Sequence, residues 1–330
     1  GDRLKTPSKS TLTEQVIIFT AARTINNTSY RMVYPFLSVF AQGLGIDLAT
    51  LSLVVTGRSL MGLLGPLLAP IADRRGRKVS MLIGLGLMVF ASVLIWLIPI
   101  FPVFFVGLLL AALGNLMFIP AMQAFVGDRV PYTRRGMVLG ITELSWSLAF
   151  IAGIPFIGWL MEHSAAQTAW KVPFPWLAGL GLFFLVLIAW RVPNNRSNLP
   201  STGNGFQSIR QILGIPMVLA GLGFAISASA ANEVVNLVFG IWLEDRFALK
   251  LAALGAASAV IGLSELSGEG FSALLSDRLG KEKSIRIGLA VSAVATIFLY
   301  FFSGSVAGAL SGLFLFYLGF EFTIVSSLPL

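Results

Sequence analysis

The chain has 330 residues and a formal net charge of +8, and 56% of its residues are hydrophobic whereas only 12% are charged. Soluble domains carry about a quarter charged residues. The lower charged fraction here and the mean hydropathy of +0.85 together exclude an ordinary water-soluble domain. Cysteine is absent and His163 is the one histidine. This excludes a disulfide framework, a thiolate site and a histidine cluster, so we predict neither a metal nor a cofactor.

Long apolar runs follow one another along the chain. A bilayer core about 30 Å thick is crossed by a helix of about 20 apolar residues, which pairs its backbone polar groups internally. Ten such runs predict helices at about residues 14–41, 50–72, 79–98, 102–126, 136–161, 173–191, 213–243, 250–275, 284–303 and 305–328. The predicted fold class is therefore an all-α membrane protein.

Lysine and arginine collect at alternate ends of the predicted helices. Of the 23, seventeen lie on one side and three lie within helices, which leaves three on the other side: Lys171, Arg246 and Lys250. Since cytoplasmic loops are enriched in Lys and Arg, we predict a bacterial-type inner-membrane protein with a cytoplasmic N-terminus. The positive charge follows topology, so it does not indicate a nucleic-acid partner.

The longest polar stretch, residues 192–210, separates six predicted helices from four, and its Asn, Ser, Gly and Pro content is typical of a flexible linker. We predict an N-terminal bundle at 1–192, a cytoplasmic linker at 193–210 and a C-terminal bundle at 211–330. An internal repeat supports this division, because DRRGRK from Asp73 is echoed 204 residues later by DRLGK from Asp277. The same offset predicts two further helices after the tenth.

The loop after the second predicted helix carries a family signature. The segment GPLLAPIADRRGRKVSML, residues 65–82, resembles the loop between helices 2 and 3 of the major facilitator superfamily, in the residues Asp73, Arg74, Gly76, Arg77 and Lys78. The resemblance implies two six-helix bundles with pseudo-twofold symmetry, of which ten helices are present here and the final two are missing. It also implies a monomer in the lipid bilayer that binds a small-molecule substrate at the midplane and alternates its access.

We predict that the signature loop belongs to a conformational gate. Glycine at position 76 permits a tight turn, and the basic residues anchor at the cytoplasmic face. Further members of the gate come from the loop after helix 4 and from the second copy of the motif: Asp128, Arg134, Arg135, Glu269, Asp277, Arg278, Gly280 and Lys281. The alternative is a topogenic basic loop with a turn glycine.

Polar side chains inside the predicted helices indicate a substrate cavity. Charges in hydrocarbon cost at least about 2.5 kcal/mol each, so they tend to face a cavity or a partner. Arg23, Asn27 and Arg31 recur in steps of four, within an arc of about 80° on one helix face. We assign to the cavity Arg23, Asn26, Asn27, Arg31, Tyr34, Asn115, Asn232 and Asn236. The alternative for the arginines is snorkelling or a structural interhelical pair.

Glutamates within the predicted helices are candidates for a proton carrier. Burial raises the pKa of a carboxyl group and a nearby Arg lowers it, so such a group can bind and release a proton as its surroundings change. In order of preference the candidates are Glu265, Glu321, Glu233 and Glu143. For each of them the alternative is a buried ion pair that holds two helices together.

These patterns favour a proton-coupled secondary transporter that exports an amphipathic or drug-like molecule, with the proton gradient as driving force. The segment from Gly153 to Gly158 partly resembles the Gly-Pro element of the superfamily's proton-coupled antiporters. A second hypothesis is uptake of a sugar or another polar or anionic metabolite. A third is a receptor or partner protein that does not transport, if the chain ends at residue 330. No phosphate-binding loop or catalytic triad spacing occurs in the sequence, so we predict no enzymatic activity.

Overall fold

A computed structural model describes residues 11–65, 76–193 and 215–327, with the side chains of Leu63, Tyr132, Thr133 and Asp277 left out. Within these ranges the chain forms helices and no strand. Eight of the helices are long and apolar enough to cross a membrane, or nine if Leu37–Leu44 and Leu48–Gly62 count as one bent span. The predicted all-α fold is confirmed.

Twelve α-helices are present in the described ranges. They are α1 Leu12–Arg31, α2 Leu37–Leu44, α3 Leu48–Ser59, α4 Arg77–Leu97, α5 Phe101–Gly127, α6 Tyr132–Leu148, α7 Ile154–Glu162, α8 Pro173–Arg191, α9 Pro216–Phe247, α10 Leu251–Leu279, α11 Lys281–Phe302 and α12 Val306–Ser327. Short 3₁₀ segments follow α3 (Leu60–Leu64) and precede α8 (Ala169–Lys171), and a π-helical turn, Ala149–Gly153, joins α6 to α7. Prolines in the first turns of α5, α8 and α9 start these helices without the loss of a hydrogen bond.

The prediction of one continuous helix over residues 14–41 is wrong. The first helix ends at Arg31, residues 32–36 form a turn, and α2 begins at Leu37. Pro35 explains the break, because proline has no N–H to donate and disfavours the helical conformation of the residue before it. With Glu14, Arg23 and Arg31 in its 20 residues, α1 is also too polar to be counted among the apolar spans.

The fifth predicted helix, 136–161, is confirmed as one span, Arg134–Glu162, but its geometry is not α-helical throughout. Its middle is the π-helical turn Ala149–Gly153, and Pro155 stands in the first turn of α7. A proline ring removes a backbone donor and crowds the carbonyl four residues earlier, and a π-bulge relieves both problems. The second predicted helix, 50–72, is described only as far as residue 65.

Contacts divide the chain into two compact units. Unit 1 comprises Gly1–Tyr30, Ala49–Ser145 and Lys171–Gly214, and unit 2 comprises Arg31–Leu48, Trp146–Trp170 and Ile215–Leu330. Nothing tests the predicted boundaries at 192 and 210, and residues 194–214 lie outside the described ranges. That division stays a prediction.

In unit 1, small residues bring the helices close together. A Cβ added to Gly84 of α4 would lie 2.5 Å from the carbonyl oxygen of Gly114 in α5. Such close approach of backbones is how helices pack in lipid, where burial of apolar surface gives no driving force. Around this contact lies a core that includes Phe19 and Phe125, whose rings meet edge to face at 5.3 Å.

In unit 2, close backbone contacts hold α10 in place. A Cβ on Gly262 of α10 would lie 2.6 Å from the carbonyl oxygen of Ser147, and one on Gly158 of α7 would lie 2.5 Å from that of Leu251. In α9, Gly240 lies against Pro35, and a Cβ on Gly240 would be 2.6 Å from the carbonyl oxygen of Pro35. Since Glu265 comes one helical turn after Gly262, these contacts place its side chain near the end of α6.

Candidate functional site

Arg31 and Glu265 form a buried, two-pronged ion pair in unit 2. The Nη1 atom of Arg31 donates to Oε2 of Glu265 at 2.9 Å, and Nη2 donates to Oε1. The two side chains are only 3% and 4% exposed. Parallel N–H···O bonds between a guanidinium and a carboxylate combine charge with fixed geometry. Arg31 is also the last residue of α1, where the partial negative charge of the helix end favours a cation.

Aromatic rings and a carbonyl group surround this guanidinium. Its Cζ atom lies 3.7 Å from the ring centroid of Phe150 and 4.1 Å from that of Trp146. The Nη1 atom also donates to the carbonyl oxygen of Trp146 at 3.1 Å. The two rings are four residues apart, so they lie on one side of the segment that passes from α6 into the π-helical turn. Cation–π attraction is stronger where water is excluded, so the rings stabilise the charged guanidinium.

Two tyrosines extend this cluster. The hydroxyl of Tyr34 lies 3.1 Å from both carboxylate oxygens of Glu233, and the buried hydroxyl of Tyr317 donates to Oδ1 of Asn236 at 2.6 Å. Tyr317 also lies within electrostatic range of Arg31, Glu265 and Glu233. The predicted residues Arg31, Tyr34, Glu233, Asn236 and Glu265 therefore come together in one polar cluster. Asn232 is half-buried, and its Oδ1 atom has no hydrogen-bond partner in the described ranges.

A second ion pair lies in unit 1. Arg23 donates from Nη1 and Nη2 to the two carboxylate oxygens of Glu143, both at 2.7 Å, and to the carbonyl oxygen of Thr142 at 3.2 Å. Gln123 donates to the same carboxylate at 3.2 Å. The Arg23 side chain is 6% exposed, but that of Glu143 is 39% exposed. The described residues thus cover this carboxylate only in part.

Amide side chains continue the polar face of α1 within unit 1. Asn26 donates to Oδ1 of Asn115 at 2.9 Å, and Asn27 donates to the hydroxyl of Ser145 at 3.4 Å. Asn27 is fully buried, and its Oδ1 atom has no partner among the described residues. The predicted cavity residues are therefore divided between the two units rather than gathered in one group.

The remaining candidate carrier, Glu321, lies in α12. It is half-buried, and its Cβ atom would be 2.8 Å from a Cβ added to Gly268 of α10. The backbone of α12 therefore approaches α10 one helical turn from Glu265.

Sequence reasoning omitted Phe150 and Tyr317 from the site. Both are aromatic residues within apolar segments of the sequence, where aromatic residues are common. The i, i+4 spacing of Trp146 and Phe150 was visible in the sequence, but nothing in the pattern shows which cation the two rings contact.

A family model described as the Major Facilitator Superfamily matches residues 19–330. The chain belongs to the Major Facilitator Superfamily. This confirms the resemblance seen in the signature loop. Members of the superfamily are multi-pass membrane transporters and not enzymes.

Several curated relatives are similar to this superfamily member. The uncharacterized MFS-type transporter YwfA of Bacillus subtilis is 28% identical over 295 residues, which are 86% of this chain and 69% of YwfA. The multidrug resistance protein MdtG of Klebsiella pneumoniae is 24% identical over 83% of this chain and 68% of its own length. The quinolone resistance protein NorA of Staphylococcus aureus is 23% identical over 64% of this chain, which spans about half of NorA, 51%.

Solved structures of superfamily members share the fold. A bacterial homolog of the human lysosomal transporter Spinster, in an inward-facing and unoccupied conformation, has a TM-score of 0.76 at 15% identity and covers 95% of this chain and 74% of its own. A D-xylose-proton symporter has a TM-score of 0.71 at 11% identity, with 96% and 81% covered. At such identities the likeness concerns the fold alone.

The two copies of the superfamily's signature motif share a backbone conformation. Gly76 has φ 93° and ψ 146°, and Gly280 has φ 82° and ψ 146°. Residues with a side chain rarely adopt such positive φ values, whereas glycine does so at little cost. Each glycine directly precedes a helix, α4 and α11 respectively. The repeat predicted at an offset of 204 residues therefore recurs in the local structure.

Other predicted gate residues are described in part. Asp73 and Arg74 lie outside the described residues, as does the side chain of Asp277. Arg77 pairs with Asp128, Nε to Oδ2, at 3.6 Å, and Lys78 donates to the carbonyl oxygen of Ala189 at 2.6 Å. Four further gate residues are exposed or half-buried near helix ends, Arg134, Arg135, Arg278 and Lys281, and Glu269 is half-buried within α10. Their role in a gate stays a prediction.

Proposed function

We propose that this protein is a proton-coupled secondary transporter that exports an amphipathic or drug-like small molecule. It works by alternating access in a bacterial inner membrane, with its N-terminus in the cytoplasm, and it uses the proton gradient rather than a bound cofactor. The observation that carries this proposal is the buried ion pair between Arg31 and Glu265.

The pair links protonation to a change in structure. A carboxylate that is only 4% exposed cannot stand alone, because an unpaired buried charge costs several kcal/mol, about 3 to 5 when one partner is removed. Glu265 therefore stays charged only while it is bound to Arg31, and once Glu265 is protonated the guanidinium, which is 3% exposed, must move to another anion or to water. Proton binding breaks the contact between Arg31 and Glu265, and proton release restores it.

Export is supported by the names of two relatives, and the charge distribution supports the orientation of the chain. Two relatives are named for multidrug resistance and for quinolone resistance. The excess of Lys and Arg on the predicted cytoplasmic side supports the orientation. For an exporter, protons that bind Glu265 from outside and leave it inside drive the substrate outward.

The uptake hypothesis gains no support from the site. An anionic or hydroxyl-bearing ligand would need the guanidinium groups of Arg23 and Arg31, but a glutamate binds both Nη atoms of each. The similarity to a xylose symporter concerns the fold, at 11% identity.

Transport in proteoliposomes tests the proposal. A fluorescent quinolone, with D-xylose as the alternative solute, is measured under an imposed pH gradient of either sign. We expect quinolone movement against the proton flux, loss of this movement when the gradient is collapsed, and its loss in Glu265→Gln. Glu321→Gln tests the second candidate carrier. A quinolone flux that is the same with and without the pH gradient would contradict proton coupling. Accumulation of xylose driven by the gradient would favour uptake instead.

A further inference from the structure

We propose that the Glu265 site binds a planar guanidinium or amidinium group of the transported molecule, and that the Arg31 side chain occupies this site as a tethered competitor. The inference rests on the proposed function in one respect, namely that the pair of Arg31 and Glu265 separates during the transport cycle. It adds the chemical class of the substrate.

The contacts of Arg31 define what the site recognises. Two parallel N–H groups meet the two oxygens of Glu265, and one of the nitrogens also meets the carbonyl oxygen of Trp146. The Cζ atom of the guanidinium lies over two aromatic rings, 3.7 Å from the centroid of Phe150 and 4.1 Å from that of Trp146. Only a planar cation with a fork of N–H donors can make all of these contacts together. An ammonium group has neither the fork nor the face.

The recognition elements stay in place when Arg31 leaves. Glu265 belongs to α10, and Trp146 and Phe150 belong to the segment that joins α6 to α7. These two segments are held to each other by backbone contact, since a Cβ on Gly262 would lie 2.6 Å from the Ser147 carbonyl oxygen and 2.9 Å from the Cβ of Phe150. A site that is formed without Arg31 loses little entropy when a ligand binds.

Arg31 is placed where it can move. It is the last residue of α1, and a non-helical turn that includes Pro35 follows it. Residues at the ends of helices absorb backbone rotation more easily than residues in the middle. The guanidinium can therefore leave Glu265 without unfolding a helix.

Arg23 provides a matched comparison. It pairs with Glu143 through the same two-pronged geometry, but no aromatic ring lies over its guanidinium among the described residues. Removal of Arg23 therefore frees a carboxylate without ring faces beside it.

Binding of three cations to the purified full chain in nanodiscs tests the inference, without any gradient. Benzylguanidinium, benzylammonium and benzyltrimethylammonium share an apolar body and a single charge but differ in N–H donors and planarity. We expect the wild-type protein to bind benzylguanidinium roughly tenfold more tightly than benzylammonium and benzyltrimethylammonium most weakly. Arg31→Ala should raise the affinity for benzylguanidinium by roughly tenfold or more, because the competitor is gone. Glu265→Gln should abolish the preference, and Arg286→Ala, a change at a 78% exposed side chain outside the site, should leave it as in the wild type.

Unchanged or weaker benzylguanidinium binding in Arg31→Ala would overturn the tethered-competitor role. Equal affinity of the wild-type protein for the three cations would overturn the assigned ligand class, and this result needs no variant that might fail to fold. Both readouts are independent of flux. Guanidinium preference with flux that ignores the pH gradient would contradict the proposed coupling alone, and coupled flux without the preference would contradict this inference alone.

Discussion

Two arginines eight positions apart on one helix differ in the solvent access of their partners. Arg23 pairs with Glu143, whose side chain is 39% exposed and also accepts a hydrogen bond from Gln123. Arg31 pairs with Glu265, which is 4% exposed, and two aromatic rings lie beside the guanidinium. The carboxylate of the first pair is partly uncovered and keeps a second donor, whereas that of the second pair is enclosed by protein. We therefore expect protonation to force a change of structure in the second pair rather than in the first.

The largest difference between the two pairs should appear in transport. Glu265→Gln removes the titrating group, so we expect gradient-driven flux to fall by an order of magnitude or more. Glu143→Gln keeps an oxygen for Arg23 and for Gln123 and should lower flux by only a few-fold. Initial rates in proteoliposomes under an imposed pH gradient measure both. Equal losses in the two variants would remove the distinction between the pairs.

The second largest difference should appear in the free energy of unfolding when each arginine is replaced. Arg31→Met leaves Glu265 buried without its cation, and we expect a loss of about 3 to 5 kcal/mol in the free energy of unfolding. Arg23→Met leaves a carboxylate that is only partly buried and keeps its hydrogen bond from Gln123, so the loss should be roughly 1 to 2 kcal/mol. Denaturant unfolding in lipid nanodiscs measures both losses. The double variant Arg31→Met/Glu265→Leu is the control, since removal of both charges should recover most of the stability.

The amide pair of unit 1 should contribute less. Asn26→Leu leaves Oδ1 of the half-buried Asn115 without its donor, and we expect a loss of about 1 kcal/mol. The double variant Asn26→Leu/Asn115→Leu should be closer to the wild type than the single one, when both are compared by thermal unfolding. A single variant as stable as the wild type would show that water satisfies Asn115.

The exposed pair of Arg286 and Glu282 should contribute least to stability among the pairs compared. The two side chains are 78% and 80% exposed and lie in the first turns of α11, with 3.5 Å between Nη2 of Arg286 and Oε2 of Glu282. Exposed pairs four residues apart contribute about 0.3 to 0.5 kcal/mol. Arg286→Ala should therefore shift the midpoint of thermal unfolding by little. A shift as large as that of Arg31→Met would mean that exposure does not explain the difference between the pairs.

Local patterns in the sequence predicted much of the fold but not the pairing within the site. Apolar runs and turn glycines located the helices, and the motif at Asp73 predicted the second glycine turn at Gly280, because these features depend on neighbouring residues. Arg31 and Glu265 were each candidates by type. Their contact joins positions 234 residues apart, and helical periodicity defines a face without showing which helix it meets.

The turn after α1 and the π-helical turn before α7 were also missed, for a related reason. Pro35 and Pro155 lie inside continuous apolar runs, and hydropathy alone predicts one helix through each. In the structure these prolines stand at the turn after α1 and at the π-helical turn before α7. Both breaks flank the Arg31 site, so the departures from regular helix lie where the candidate chemistry is.

Infrared difference spectroscopy during a pH titration tests the central claim most directly, because a protonated carboxyl group has a carbonyl stretch that a carboxylate lacks. With the protein in nanodiscs, we predict a band that grows as the pH falls, is absent in Glu265→Gln and persists in Glu143→Gln. The appearance of the band should coincide with a change in the guanidinium modes of Arg31, since protonation separates the pair. An identical titration in wild type and Glu265→Gln would contradict the assignment of Glu265 as the proton carrier.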